Sequence, residues 1–201
     1  MPGQGAGPPE ARAGETAAPR ATFAALPDNL QTPVARLFLT CYLRLQMRSS
    51  DKERIPMPGL VIERDVLIEA PVDVVWRTIT EPDQMSQWFA DRVELVVEPG
   101  AHGYMEFGDQ GGPVVVEVVD PPTRFSFRWN HPRDEEPVAG NSMLVEFTLT
   151  PEGADRTRLR VAESGHELRD WPAAEKQRYA DEHRDGWGEF LDRLVRVLAE
   201  R

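Results

Sequence analysis

The chain has 201 residues, 40% of them hydrophobic, which is enough for one domain with a substantial core plus an appendage. Of its 23 Lys/Arg and 34 Asp/Glu, residues 1–57 hold 7 and 5, leaving 16 and 29 for the rest; the body therefore carries −13 of a net −11. A body this acidic repels phosphate backbones and anionic bilayers, which argues against nucleic acid and membrane as partners.

Cys41 is the one cysteine, so no intramolecular disulfide can form. No Cys/His cluster has zinc spacing, and no two histidines sit four apart on a helix, so no metal and no cofactor are expected. The first twenty residues contain no apolar stretch of the kind a secretory signal needs. The run Val34–Met47 is too short to span a bilayer and contains Arg36 and Arg44. A cytoplasmic location is the expectation.

In chain order, residues 1–20 are rich in Ala, Gly, Pro and Glu and are expected to be disordered. Residues 28–47 suit a helix, capped by Asp28 or Asn29, with Val34, Leu37, Phe38, Cys41 and Leu45 as its stripe. Ser49–Pro56 reads as a linker. Residues 1–57 thus form a disordered or partly helical extension, or lie upstream of a start at Met57. Residues 58–201 form the domain.

From Val61 the period becomes two: Ile62, Arg64, Val66 and Ile68 alternate with Glu63, Asp65, Leu67 and Glu69, a strand. Pro71 opens a helix whose inner stripe is Val72, Val75, Trp76 and Ile79. Thr80-Glu81-Pro82-Asp83 stops it and starts a second short helix ending near Trp88-Phe89. Six strands follow: Val93–Val97, one around Tyr104–Phe107, Val114–Val119, Arg124–Trp129, Met143–Leu149 and Thr157–Glu163, separated by Gly- and Pro-rich turns. A long helix from about Pro172 to Arg201 closes the chain. Tyr179, His183, Trp187, Phe190, Leu191, Leu194 and Leu198 recur at three- and four-residue steps along it. Gly186 and Gly188 flank Trp187, although each glycine inside a helix costs roughly 1 kcal/mol relative to alanine. Close approach of a sheet or a bound molecule would explain the pair.

Short turns between consecutive strands demand antiparallel pairing. Such a sheet is stable with one amphipathic helix if it wraps that helix. The class is α+β, with a space between sheet and helix that Phe125, Phe127, Trp129 and Val145, Phe147, Leu149 would line or fill.

Four segments resemble a known family. They are Ala70-Pro71-x-x-x-Val75-Trp76 with Thr80-Glu81-Pro82 and Trp88-Phe89; Asp120-Pro121-Pro122-x-Arg124-Phe125-x-Phe127-x-Trp129; Arg156-Thr157-Arg158-Leu159 before Glu163-Ser164-Gly165-His166; and Gly186-Trp187. In this order they resemble homologues of the heat-shock-protein-90 ATPase activator, within the START/birch-pollen-allergen-like (SRPBCC) group, over about residues 60–199. The resemblance implies the helix-grip fold: a curved antiparallel sheet around a long C-terminal helix, with two short helices after the first strand. It also places Trp88 and Phe89 where the family's cavity opens. Residues 1–57 are too short to be the additional chaperone-contacting domain of the eukaryotic co-chaperone.

The expected site is a hydrophobic cavity between sheet and helix, lined by Trp88, Phe89, Tyr104, Phe125, Phe127, Trp129, His183, Trp187 and Phe190. His183 reads first as a satisfied core histidine, with a ligand contact as the alternative. Few polar groups converge there, so a small hydrophobic ligand, aromatic or lipid-like, fits better than acid–base chemistry, and no catalytic residue is assigned. Two alternatives stay open. One is a co-chaperone-like module using the acidic surface to engage a protein partner and stimulate an ATPase. The other is a cyclase- or hydrolase-like enzyme, which needs His183, Tyr104 or Tyr179 placed together.

Overall fold

The computed structural model describes residues 60–200; the expected helix over 28–47, the linker and the boundary near residue 58 lie outside them. The first strand, β1, spans Ile62–Ile68. Helix α1, Val72–Thr80, follows with Pro71 as its N-cap and buries Val75, Thr78, Ile79 and Thr80. Thr78 and Thr80 reach the core because their hydroxyls are satisfied locally, donating to Val74 O at 2.9 Å and Trp76 O at 2.8 Å. The helix stops at Glu81, which is extended, because a residue before proline avoids the helical region. Pro82 then opens the one-turn helix α2, Pro82–Met85.

Six strands follow: β2 Arg92–Glu94, β3 His102–Phe107, β4 Gln110–Asp120, β5 Arg124–Trp129, β6 Met143–Pro151 and β7 Thr157–Ser164. They form one antiparallel sheet in the order β1-β7-β6-β5-β4-β3-β2. Consecutive strands from β2 to β7 are neighbours, as their short turns require, and β7 returns to pair β1 with Ile62 opposite Glu163. The buried hydroxyl of Thr157 donates to Ala70 O at 2.8 Å and pins that return to the entry of α1. β2 is shorter than its period-two pattern implies. Past Glu94 the chain folds back on itself, Glu98 N–H donating to Val96 O at 3.0 Å, so Leu95 and Val97 lie beyond the ladder.

The long helix α3 spans Ala173–Ala199 and buries Tyr179, Ala180, His183, Gly186, Trp187, Phe190, Leu191, Leu194 and Leu198, the stripe its spacing dictates. Its rings meet β3 through Phe107, β5 through Trp129 and β6 through Phe147. The curved sheet therefore grips the helix, as the fold class requires. No described helix is long and apolar enough to cross a membrane.

The two glycines of α3 differ. Gly186 is buried on the inward stripe, but a Cβ at Gly188 would meet nothing within 4 Å. Close approach thus accounts for at most the first. Gly188→Ala should stabilise the domain by up to about 1 kcal/mol, since only the helix-propensity penalty is removed. A lowered urea midpoint would refute this.

Candidate functional site

The interior between sheet and α3 is a continuous set of rings. Phe89 occupies its centre. Its ring centroid lies 4.8 Å from Phe190, 5.3 Å from Trp187 in a stacked pair, 5.4 Å from Phe107, 5.6 Å from Trp129 and 6.2 Å from Phe127. Trp88 lies 5.2 Å from it and 6.2 Å from Phe147. Phe125 stacks on Phe147 at 6.3 Å. Trp88 and Phe89 are buried side chains at the end of the α2 turn, and Trp88 Nε1 donates to Thr78 O at 3.0 Å. They insert into the interior rather than lying across an opening as a lid.

Eight of the nine expected ligand-binding residues, Trp88, Phe89, Phe125, Phe127, Trp129, His183, Trp187 and Phe190, therefore meet in one interior. Tyr104 is apart from them. It stands on the outer side of β3, where its hydroxyl accepts from Arg133 at 2.8 Å and the guanidinium sits 5.3 Å over the ring. It borders a shallow groove of about 380 Å³ with Glu94, Leu95, Val96, His102 and Gly103. Tyr104 alternates with Met105 and Phe107, which carry the inward face of β3. The enzyme alternative accordingly gains Tyr179, whose ring is 4.2 Å from His183, but not Tyr104.

At one end of the ring set lies a residue that the sequence reading passed over. Glu163 is wholly buried. Trp129 Nε1 donates to its Oε1 at 2.8 Å, and Trp187 Nε1 donates to its Oε2 at 2.8 Å. His183 Nδ1 lies 3.0 and 2.9 Å from the two oxygens. His166 Nε2 stands 3.8 Å from Oε2. Burial disfavours the charge, but the charge of His183 and the facing rings of His166 and His183 outweigh it. Together they hold the carboxyl well below the usual carboxylate range. An ionised carboxylate only accepts, so His183 Nδ1 carries the hydrogen between them. Two indole N–H groups and two imidazoles thus stabilise a charge inside an apolar core, where an unpaired one would be prohibitively costly.

Each member is placed by its local structure. Thr157, Leu159, Val161 and Glu163 share the inward face of β7, so strand periodicity itself drives the carboxylate inside. Gly165 then adopts φ +109°, and a Cβ there would come within 2.8 Å of Ser142 O. Only glycine makes this turn, and the turn folds His166, in the single 3₁₀ turn His166–Leu168, back over Glu163. His183 and Trp187 lie one helical turn apart on α3. His166 and His183, scattered in sequence, end with ring centroids 5.3 Å apart. His183 Nε2 and both ring nitrogens of His166 are buried without a hydrogen-bond partner among the described residues.

No curated protein matches the chain. Among solved structures, DynU16, from the dynemicin biosynthetic locus, is 31% identical over 71% of this chain with a TM-score of 0.56; the chain spans 48% of that protein's length. The Aha1 protein of Colwellia psychrerythraea, solved as a dimer, is 17% identical with a TM-score of 0.56, covering 69% of this chain and 95% of that one. An HSP90 activator from Plasmodium falciparum is 15% identical with a TM-score of 0.55, covering 70% and 97%. The last two show a shared fold. The model of the "Activator of Hsp90 ATPase homolog 1-like protein" family matches residues 69–199, which include the inward rings, Glu163 and both histidines that face it. The chain belongs to that family.

Proposed function

We propose that the domain binds a small, planar, largely apolar molecule between the sheet and α3, with one polar group of the ligand directed at the Glu163–His183 end. The observation that carries this reading is the run of buried rings around Phe89 ending on a buried charged cluster. A core built for stability alone gains nothing from a desolvated carboxylate, because replacing buried ion pairs by apolar residues is often neutral or stabilising. Phe89 closes a short helical turn and packs on the rings of Phe107, Trp129, Trp187 and Phe190, so its outward rotation is the motion that would make room for a ligand ring. The resemblance to DynU16, a protein of a biosynthetic locus, supports a small-molecule role over a co-chaperone role. The His183–Glu163 pair also supports a second reading, proton transfer to or from that bound molecule, since an imidazole oriented by a carboxylate is a common general base.

The test is a ligand panel of polyketides, flavonoids and fatty acids. A ligand at 100 times its dissociation constant stabilises the fold by about 2.7 kcal/mol, a rise in melting temperature of roughly 5–11 °C for a domain of this size. Trp88, Trp129 and Trp187 lie in the interior, so the same ligands should change tryptophan emission. A panel that leaves both readouts unmoved would remove the support for the binding reading.

A further inference from the structure

Three potential ligand atoms, one each from Glu163, His166 and His183, lie within 4.8 Å of one another, and all three residues are buried. From this we infer that the cluster is a binding site for a divalent transition-metal ion of the zinc class, held by one carboxylate and two imidazoles.

The donor set selects the ion. Two imidazoles and a carboxylate make the ligand set of catalytic zinc sites, and imidazole nitrogens disfavour magnesium and calcium. Ligand bonds of 2.0–2.2 Å in a tetrahedral site put donor atoms about 3.4 Å apart. Here His183 Nδ1 is 2.9 Å from Oε2 and His166 Nε2 is 3.8 Å from it, each within about half an ångström of that spacing, and the three donor atoms lie within 4.8 Å of one another. The ion would take the place of the hydrogen on His183 Nδ1, so binding releases a proton.

Two further observations point to a ligand rather than to a core ion pair. His166 is 1% exposed, yet neither of its ring nitrogens has a hydrogen-bond partner among the described residues. An imidazole buried for packing alone would be better replaced by an apolar ring, because an unpaired buried polar group is costly. The carboxylate, in contrast, is held from behind. The indole N–H groups of Trp129 and Trp187 each take one lone pair of a different oxygen and leave the other lone pair available. Outer hydrogen bonds of this kind orient ligating carboxylates in metal sites.

The spacing explains why a sequence search misses the site. Glu163 and His166 are three apart but lie on a strand end and a 3₁₀ turn, and His183 is twenty residues on, in α3.

The test uses the full chain, stripped with a chelator and titrated with Co²⁺ and Zn²⁺. One equivalent of Co²⁺ should bind with the intense visible absorption of a four- or five-coordinate site, and Zn²⁺ should displace it. At 100 times the dissociation constant the melting temperature should rise by roughly 5–11 °C. His166→Phe should abolish that absorption while the metal-free variant keeps the wild-type circular dichroism spectrum. Trp129→Phe should weaken binding by about 10–100-fold through the lost support of the carboxylate. His102→Ala, at a surface histidine whose side chain is 62% exposed, should bind as the wild type does. Wild-type NMR makes the result independent of any variant. Zn²⁺ should shift the indole N–H signals of Trp129 and Trp187 and two histidine rings, leaving the other indole signals in place. Failure of the wild type to take up one equivalent would overturn the inference, as would uptake that survives His166→Phe or leaves those two indole signals unmoved. A ligand panel that fails while Co²⁺ binds would sink the small-molecule reading alone.

Discussion

Trp187→Ala should be among the most damaging single substitutions in this domain. The indole is 1% exposed, stacks on Phe89 at 5.3 Å and donates to Glu163 Oε2 at 2.8 Å. Removing a buried tryptophan side chain costs about 3–5 kcal/mol through lost transfer energy and the cavity left behind. Here the same change also strips one donor from a buried carboxylate, and hydrogen bonds to charged groups contribute about 1.5–3 kcal/mol. Against a total stability of about 5–15 kcal/mol for a typical domain, the sum threatens folding at ordinary temperature. Trp187→Phe separates the two parts: it keeps most of the ring volume and loses the donor, so it should cost about 1.5–3 kcal/mol. Denaturant unfolding followed by far-ultraviolet circular dichroism measures both. If phenylalanine were as harmless as a surface change, within about 0.5 kcal/mol, the indole–carboxylate bond would not matter to the fold.

Much of the architecture is legible in the sequence because period and punctuation agree. Alternation over Thr157–Val161 and over Met143–Leu149 gives strands β7 and β6, and the stripe from Tyr179 to Leu198 gives α3. Where the sequence misleads, a local competitor decides. Val93, Leu95 and Val97 alternate, but the fold-back at Val96 ends the ladder after Glu94. Gly188 looks like a close-approach position because it flanks Trp187, yet it turns toward open space.

The site divides the same way. Its aromatic half follows from strand faces and helical spacing, which bring Phe127, Trp129, Trp187 and Phe190 together. Tyr104 falls outside because it occupies the odd position of β3 between inward Met105 and its neighbours. The polar half rests on tertiary contact. One signal was available: Glu163 continues the inward set Thr157, Leu159, Val161, and a carboxylate on an otherwise apolar strand face must be paired inside or the strand must end before it. What pairs with it could not be read, since His166 arrives through the left-handed Gly165 and His183 from a helix packed across the sheet.

Glu163→Gln, in metal-free protein kept in chelator, should cost about 3–5 kcal/mol at neutral pH. Breaking one side of a buried pair leaves the other uncompensated, which is the expensive way to alter it. Glutamine fits the space, but its NH₂ group is a donor facing the donors Trp129, Trp187 and His183, so at least one N–H loses its acceptor. The pH dependence gives a sharper readout than the size of the loss. The carboxyl is held well below the ordinary value of 4.5 that it regains on unfolding. A depressed folded pKa means the unfolded state takes up the proton first as acid is added. The contribution of Glu163 is therefore complete above about pH 4.5 and is lost progressively as pH falls toward the lower folded value. Other carboxylates titrate in the same range, but they are common to wild type and variant. The difference between the two proteins should hence shrink steadily as pH falls below about 4.5, the carboxyl's unfolded value. Urea midpoints at a series of pH values give that difference directly. If the variant is too unstable to titrate, the carboxyl carbon chemical shift of Glu163 in the wild type reports the same property, and it should still show the ionised form where exposed glutamates are half protonated. A gap that stays constant into acid, or a carboxyl that titrates with the exposed glutamates, would mean that the two indoles and two imidazoles do not hold the charge.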